Sequence, residues 1–588
     1  MLPRDKADFP KKLRGIRGQV SRKTPAESVI AAVANILVRT RYPLLPRLPG
    51  GPLALTKKAP IADFAQWLSP MDIKDVGFWL SSAYAQLVKP AKRRKRAMFF
   101  TPPILGDRIL DDLEAAGVNW SEAKMIDLAC GGAAFLAPAA RRVADTLAAR
   151  GVGAADILAH IEEHLVGIEI EPFLANLSKL FVGMTLYPWV KAAKRRPVIT
   201  VILGDAMTYA PRLAGKFDVV ICNPPYRKLT SREVTKLPAN LRELCYRQPN
   251  FYGMFMALSA QLLNDKGIAG LLTPMSFLSG QSFVELRKYL AVNRFIANID
   301  IVEEKLGIFW GVEQDTAISI LAPIKSDLRM TNVHVVTGKA KWQRTGSVAL
   351  DVSGGPWVLP RTRRDAVLLA AANGRTMADY GYTATVGDVV LHRDPRRRFA
   401  SLAAANRANA IKPIPMLRAS EIRVTGALEF KRYRRSDCYV DVGNEARGVV
   451  RSPAIALQRV SSPDQQRRLI CAAVPRKMQR RYGGVLGENH VNFLVAKSGT
   501  SVAKKLVARI LTSEPVDRLF RCRSGATNVS VYELAQLPLP NPDIVRAELA
   551  AGASIDMAVC AGFGIRRKSI SMMKNGKPRR SRRPVKRP

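Results

Sequence analysis

Four consecutive residues, Asn223-Pro224-Pro225-Tyr226, have the types needed to hold an amine on an aromatic ring. The carboxamide oxygen of Asn223 and a neighbouring main-chain carbonyl can each accept one of the two protons of an exocyclic amino group. Pro224 and Pro225 fix φ and carry no N–H, which leaves the carbonyls of Asn223 and Pro224 to point at a ligand. Tyr226 adds a flat face for a flat substrate. Such an amine is a poor nucleophile because its lone pair is delocalised into the ring. Hydrogen bonds from both its protons favour a pyramidal nitrogen with the lone pair freed. The chemistry this stretch suits is attack by that nitrogen on an already activated group, with no nucleophilic side chain required.

Three further segments suit a cofactor. Asp127-Leu128-Ala129-Cys130-Gly131-Gly132-Ala133-Ala134 reads as a strand end and a tight turn of small residues before a helix. A turn of that kind lets backbone N–H groups approach a ligand closely. Val166-Gly167-Ile168-Glu169 places an acid at the end of the next strand, where it can bind ribose hydroxyls. Leu203-Gly204-Asp205 ends a third strand and offers Asp205 to an adenine amino group. Gly, Glu and Asp on successive strand tips describe a pocket for an adenosine-bearing cofactor. His160-Ile161-Glu162-Glu163-His164 matches an H-x-x-E-H metal pattern, but with five histidines in the chain and no evident third ligand it reads as chance. The seven cysteines show no CxxC spacing, so neither a metal site nor a disulfide framework is expected, and a reducing cytoplasm is.

The elements that must position these residues follow from hydrophobic periodicity. Strands are predicted at 124–128, 164–170, 198–203, 218–222, 268–273, 296–302 and 316–321, with helices at 135–150, 174–186 and 255–263. That alternation describes an α/β fold, a doubly wound and mostly parallel sheet with helices on both faces. It places the carboxyl ends of the central strands, and with them Asn223, at a ligand crevice. Before it, residues 1–95 form a basic, mainly helical N-terminal extension whose end, Lys92-Arg93-Arg94-Lys95-Arg96, is either a solvated linker or a phosphate contact. After it, the rhythm breaks into short β-like runs such as Val333-His334-Val335-Val336 among basic clusters, read as a second, mixed α+β domain over 326–564. A Lys/Arg/Pro/Ser tail fills 565–588 and is expected to be disordered. With 92 Lys and Arg against 48 Asp and Glu, the net charge of +44 favours a polyanionic partner. The longest early apolar run, Val29 to Val38, is too short to span a bilayer and starts too late for a signal peptide, so no membrane partner is expected.

The order of Phe100-Thr101-Pro102-Pro103, the Gly-rich turn, the acid Glu169 and then Asn-Pro-Pro-Tyr resembles the gamma class of amino-directed DNA methyltransferases, the TaqI-like adenine enzymes. The resemblance covers roughly residues 96–325. It implies a class I methyltransferase, Rossmann-like domain over 96–325 and a target-recognition domain over 326–564. It implies S-adenosyl-L-methionine as cofactor, with Thr101 and Pro102 near its methionine part, Asp127, Ala129 and Gly131 around the turn, Glu169 on the ribose and Asp205 on the adenine. Asn223, Pro224, Pro225 and Tyr226 would then take the target base, which must leave a duplex to reach them. Asn250-Phe251-Tyr252-Gly253-Met254-Phe255 resembles the helix that follows this loop. Phe309 or Trp310 stands where the family places its second stacking ring, with core packing as the alternative. Gly487 to Phe493 and Ser524 to Ser530 are similar to segments of the accompanying recognition domains, where loop Asn, Thr and Arg side chains read base edges. One residue departs from the pattern: Ala133 stands where a second glycine is usual, and its methyl could crowd the cofactor. The implied partner is double-stranded DNA, and any restriction nuclease would be a separate chain. RNA, a protein glutamine, an N4-cytosine target and a catalytically silent DNA-binding homologue remain as alternatives.

Overall fold

The computed structural model describes residues 3–247, 249–303, 314–324, 329–337, 341–372, 374–430, 437–461, 465–523 and 528–565. They form two compact units, Met1–Trp357 and Val358–Pro588.

The first unit is built on a nine-stranded sheet. In chain order its strands are β1 (Met125–Asp127), β2 (Leu165–Glu169), β3 (Thr200–Leu203), β4 (Phe217–Cys222), β5 (Leu263–Pro274), β6 (Phe295–Val302), β7 (Thr316–Ala322), β8 (Met330–Val336) and β9 (Trp342–Ala349). Their spatial order is β3-β2-β1-β4-β5-β7-β6-β8-β9. The first five strands of that order pair in parallel, and β7 runs antiparallel to both β5 and β6. The central strand β4 is apolar almost throughout and buried, as a strand covered on both faces must be. From β1 the chain winds out to β2 and β3 and returns to β4 on the other side. The reversal lies between β1 and β4, so the carboxyl ends of these two strands part around a crevice. This is the class I methyltransferase arrangement expected from the sequence.

The helices that cover the sheet start where their sequences say they should. Pro172–Thr185 carries proline in its first turn, where no N–H is missed. Leu136–Ala149 buries the Ala, Val and Leu face of an amphipathic stripe. The N-terminal helices Ala26–Arg41, Ala59–Leu68 and Ile73–Leu87 share one hydrophobic core with Leu136, Leu177 and Phe181 of the sheet layer. Helix Ile73–Leu87 is capped by Asp72, which accepts the Lys74 N–H at 2.9 Å. The first 95 residues are therefore a packed layer of this unit.

The expected boundary at 325/326 falls inside the first unit. β8 pairs in parallel with β6, and β9 adds antiparallel to β8, so the run around Val333 continues the sheet out to its edge. The helix-strand rhythm stops there because consecutive edge strands join directly, and the unit itself ends at Trp357.

The second unit is mixed α and β. One four-stranded antiparallel sheet runs in the order Tyr382–Val386, Val491–Ala496, Ala454–Gln458, Cys471–Ala473. A second joins Arg398–Phe399, Tyr439–Asp441, Pro413–Leu417 and Leu486–Gly487. Helices Lys504–Leu511, Glu514–Arg523 and Ile555–Gly562 pack their apolar faces into one core with the first of these sheets. No helix among the described residues is long and apolar enough to cross a membrane.

Candidate active site

The tips of β1, β2, β3 and β4 open on one cavity of about 400 Å³, which lies within the usual range for small-molecule sites. Thr101, Asp127, Ala129, Gly131, Glu169, Asp205, Asn223 and Pro225 all line it. Pro102, Pro224 and Tyr226 do not: Pro102 caps helix Pro103–Ala115, Pro224 is buried and Tyr226 is half-buried.

The turn after β1 is small because its neighbours press on it. Gly131 adopts φ 49°, and a Cβ there would stand 3.4 Å from the Phe100 ring. A Cβ on Gly132 would fall 2.0 Å from Ser81 Oγ, on the N-terminal helix Ile73–Leu87. Gly131 is thus required by its φ and Gly132 by close approach. Ala133, with φ 58°, also takes the left-handed conformation, and its N–H donates to Cys130 C=O at 2.7 Å. Its methyl faces a separate void of about 20 Å³ beside Ser81 and Phe181, and it is not part of the cavity wall. The methyl anticipated to crowd the cofactor therefore does not line the cavity.

Two carboxylates hold the turn. Glu169 Oε2 accepts the Gly131 N–H at 2.9 Å, and its Oε1 accepts the Glu171 N–H at 2.8 Å. Burial raises the Glu169 pKa above the ordinary carboxylate value, against the pull of these backbone donors. Each oxygen keeps a second lone pair for another donor. Asp127 is fully buried; its Oδ1 accepts the Ala129 N–H at 3.1 Å, while Oδ2 has no hydrogen-bond partner. Burial, with Glu169 nearby, pushes its pKa up to about 8. Asp205 caps helix Ala206–Tyr209 through the Met207 N–H at 3.0 Å.

Asn223 follows β4 directly and is turned by a residue far away in the chain. Its Nδ2 donates to Thr101 Oγ1 at 2.9 Å, which fixes the amide plane. Among the described residues nothing donates to Asn223 Oδ1 or to the Pro224 carbonyl, whereas the Pro225 carbonyl accepts the Arg227 N–H at 3.2 Å. The Tyr226 hydroxyl donates to the Leu272 carbonyl at 3.1 Å, and burial holds the phenol well above its ordinary pKa, so it stays neutral. Its ring lies near-parallel to Phe99, with centroids 6.3 Å apart and planes 22° from each other. Phe251 and Phe255, from the helix Phe251–Leu262 anticipated by Asn250 to Phe255, add apolar wall.

Several residues at the site carried no signal that singled them out. Phe99 is 38% exposed and lines the cavity opposite the Tyr226 side, while Phe309 and Trp310 lie outside the described residues. Glu171, visible in the sequence only as a second acid before Pro172, lines the cavity and binds Lys92 at 2.8 Å. His160 and His164 stack at 3.9 Å near the end of helix Ala154–His164, and among the described residues no group of three or more His, Cys, Asp and Glu could hold a metal.

In the second unit, the Gly487–Phe493 segment is structural at its C-terminal end. Asn492 is fully buried and donates to the Val529 carbonyl at 2.7 Å, so it cannot read a base edge. Ser530 and Glu533 form a reciprocal cap on helix Val531–Ala535. Residues 524–527 and the basic cluster 431–435 lie outside the described residues.

Comparison with known proteins adds the following. Residues 163–309 match the Eco57I restriction-modification methylase family. The Type II methyltransferase M.BstVI of Geobacillus stearothermophilus is 27% identical over 222 residues, 35% of this chain and 39% of that protein. M.BsuBI of Bacillus subtilis, also a Type II methyltransferase, is 24% identical over 345 residues, 56% of this chain and 66% of that protein. The chain thus spans between two fifths and two thirds of these curated relatives. Among solved structures, the Type IIL restriction-modification enzyme MmeI in complex with DNA superposes with a TM-score of 0.54 at 12% identity, over 93% of this chain and 88% of that one. A nuclease-deletion mutant of the Type ISP enzyme LlaGI, bound to a DNA substrate mimic, gives a TM-score of 0.50 at 12% identity, over 93% of this chain and 56% of that one. These superpositions speak to fold. The methylase family implies S-adenosylmethionine as cofactor, and the cavity fits it: the glycine turn after β1, an acid at the β2 tip whose oxygens each keep a lone pair, and Asp205 at the β3 tip line one space of suitable size. Residues 163–309 thus match the Eco57I restriction-modification methylase family, and they lie within a class I methyltransferase fold.

Proposed function

We propose that the chain is a site-specific DNA methyltransferase acting on the exocyclic N6 amine of an adenine turned out of the duplex. The observation that carries this reading is the state of Asn223. Its amide nitrogen is tied to Thr101 Oγ1, which leaves its oxygen for an outside donor at the cavity that Asn223 lines, and the carbonyl of the next residue, Pro224, likewise has no donor among the described residues. Two convergent acceptors match the two protons of one amine. They draw those protons into the plane of the acceptors and favour the pyramidal nitrogen that attack requires. Glu169 and Asp205 would hold the ribose and adenine of S-adenosylmethionine, and the Gly131 turn and Thr101 its remaining part. Bound there, the cofactor supplies a methyl already activated by a positive sulfur.

The rest of the site orients and excludes. Tyr226 is braced through Leu272 and offers a ring face, with Phe99 lying near-parallel on its other side of the slot. Both would flank a flat base, which a base still stacked in a duplex cannot reach. Proximity of two fixed reactants then supplies much of the rate. The net charge of +44 supports a nucleic acid over a protein glutamine as substrate. The position of Ala133 outside the cavity wall supports a working site over a silent one.

The test is transfer of labelled methyl from S-adenosylmethionine to unmethylated genomic DNA, with Asn223→Ala as control. Label recovered as N6-methyladenine and lost in the control is the expected result. Label in N4-methylcytosine, in RNA or in protein would overturn the adenine assignment.

A further inference from the structure

The basic run 92–96 divides into cations that the fold uses and cations that it leaves open. It forms the helix Pro90–Arg96, which Ala97 ends in a left-handed turn at φ 46°. The chain then reverses so that Met98 to Thr101 runs along the cavity. Lys92 is consumed internally: its Nζ lies 3.1 Å from Glu27 and 2.8 Å from Glu171. Although burial opposes it, these carboxylates hold the ammonium above its ordinary pKa. Glu171 in turn gives its N–H to Glu169, so Lys92 fastens the acid-bearing loop of the cofactor pocket. Arg93 reaches Gln86 at 2.7 Å. Across the mouth, Arg227 is spent on Glu233 at 2.7 Å and on the Phe251 ring at 4.2 Å.

Lys95 and Arg96 differ. Both line the cavity that Asn223 lines, and neither has an acidic partner among the described residues. Arg94, between them and Arg93, is likewise without one but does not line the cavity. Two like charges held side by side at a cavity mouth repel each other, and the fold provides no counter-charge for them. An anion arriving from outside removes that repulsion.

We propose that Lys95 and Arg96 grip the phosphates flanking the nucleotide whose base enters the cavity. This rests on the DNA reading above. Phosphate contacts set register and orientation and carry no sequence information, which suits a pair beside the reacting base. Lys92, three residues earlier, serves the cofactor side of the same wall, so one short helix would address both substrates.

The experiment measures kcat/KM for methyl transfer to genomic DNA as a function of salt, together with cofactor affinity, for the full chain and two variants. Removing two phosphate contacts should flatten the log–log salt slope by about 2. The double variant K95Q/R96Q is expected to show that change with unaltered cofactor affinity. R94Q removes a charge from the same helix away from the cavity and is expected to leave the slope within half a unit of wild type. Equal changes per charge removed in R94Q and K95Q/R96Q would mean bulk charge only and overturn the proposal. A tenfold loss of cofactor affinity in K95Q/R96Q with an unchanged slope would assign these cations to the cofactor's carboxylate and overturn it too. Absence of transfer to DNA by the unaltered chain would instead refute the DNA reading itself. Tryptophan-fluorescence melts matching wild type confirm that the variants fold.

Discussion

Asp127→Asn should make the first unit more stable at neutral and alkaline pH, although it removes a charge beside the cofactor site. Asp127 is fully buried with one oxygen unpartnered, and its pKa is pushed up to about 8 from a reference value of 3.8. The folded chain therefore keeps a proton that the unfolded chain has already released. Stability contributed by that proton is fully present below about pH 4 and is lost as pH rises towards 8. Each pH unit in that window lowers stability by about 1.4 kcal/mol, for at most about 4 kcal/mol by pH 7. Asparagine copies the protonated acid: its oxygen can still accept the Ala129 N–H, and its amine replaces a hydroxyl that had no partner either. At pH 5 the variant should match wild type within about 2 kcal/mol; at pH 8 it should melt higher, by on the order of 5 °C. All seven tryptophans precede residue 358, so intrinsic fluorescence reports the first unit alone. Melts of cofactor-free wild type and variant at pH 5, 6.5 and 8 give the answer as a difference, in which titrating groups remote from Asp127 cancel. A variant that tracks wild type at all three values would refute the reasoning, because Asp127 would then be ionised in the folded protein with water reaching its second oxygen.

Four other outcomes are expected. Asn223→Ala should lower methyl transfer by about 10²–10³-fold while cofactor affinity, measured by calorimetry, stays within twofold. Thr101→Val should lower kcat about tenfold by freeing the Asn223 amide to rotate, the loss of about one hydrogen bond, and Thr101→Ser should restore it; equal kcat in both would show that the 2.9 Å bond does not orient the amide. Ala133→Gly should leave cofactor affinity within twofold, since the methyl faces the small void by Ser81; a tenfold gain would place it in the cavity after all. Phe99→Ala should weaken the kcat/KM for DNA by about 1–3 kcal/mol, the value of one base–aromatic stack, without altering cofactor affinity.

What was legible in the sequence is what depends on short stretches. The strand runs at 218–222 and 296–302 appear as Phe217–Cys222 and Phe295–Val302, because short runs dominated by Val, Ile and Phe suit strands with buried faces. The turn of glycines after Asp127, the acid ending β2 and the Asn-Pro-Pro tip of β4 each announce a strand end, and topology alone brings strand ends together. Hence Thr101, Asp127, Glu169, Asp205 and Asn223 meet at one cavity. The boundary at 325 failed for the same reason in reverse: an antiparallel edge hairpin has no βα rhythm, so β8 and β9 resemble the start of something else.

Partners far apart in the chain left no trace that a local reading could find. Asn223 and Thr101 are 122 residues apart, Lys92 and Glu171 are 79, and Gly132 meets Ser81 from a helix the sequence offered only as an extension. These contacts have one thing in common: each joins a residue that precedes Pro103 to a strand tip of the sheet. The amide of Asn223 has its orientation, Glu171 its counter-charge and the glycine turn its steric limit from the same N-terminal layer. A methylase core that begins at Pro103 would keep every strand tip and lose Thr101, Lys92, Ser81 and Phe99 together. On the proposed function, the residues before Pro103 would therefore belong to the catalytic machinery in the physical sense. They would set which lone pairs are left for a ligand at the cavity, and the sheet alone would not.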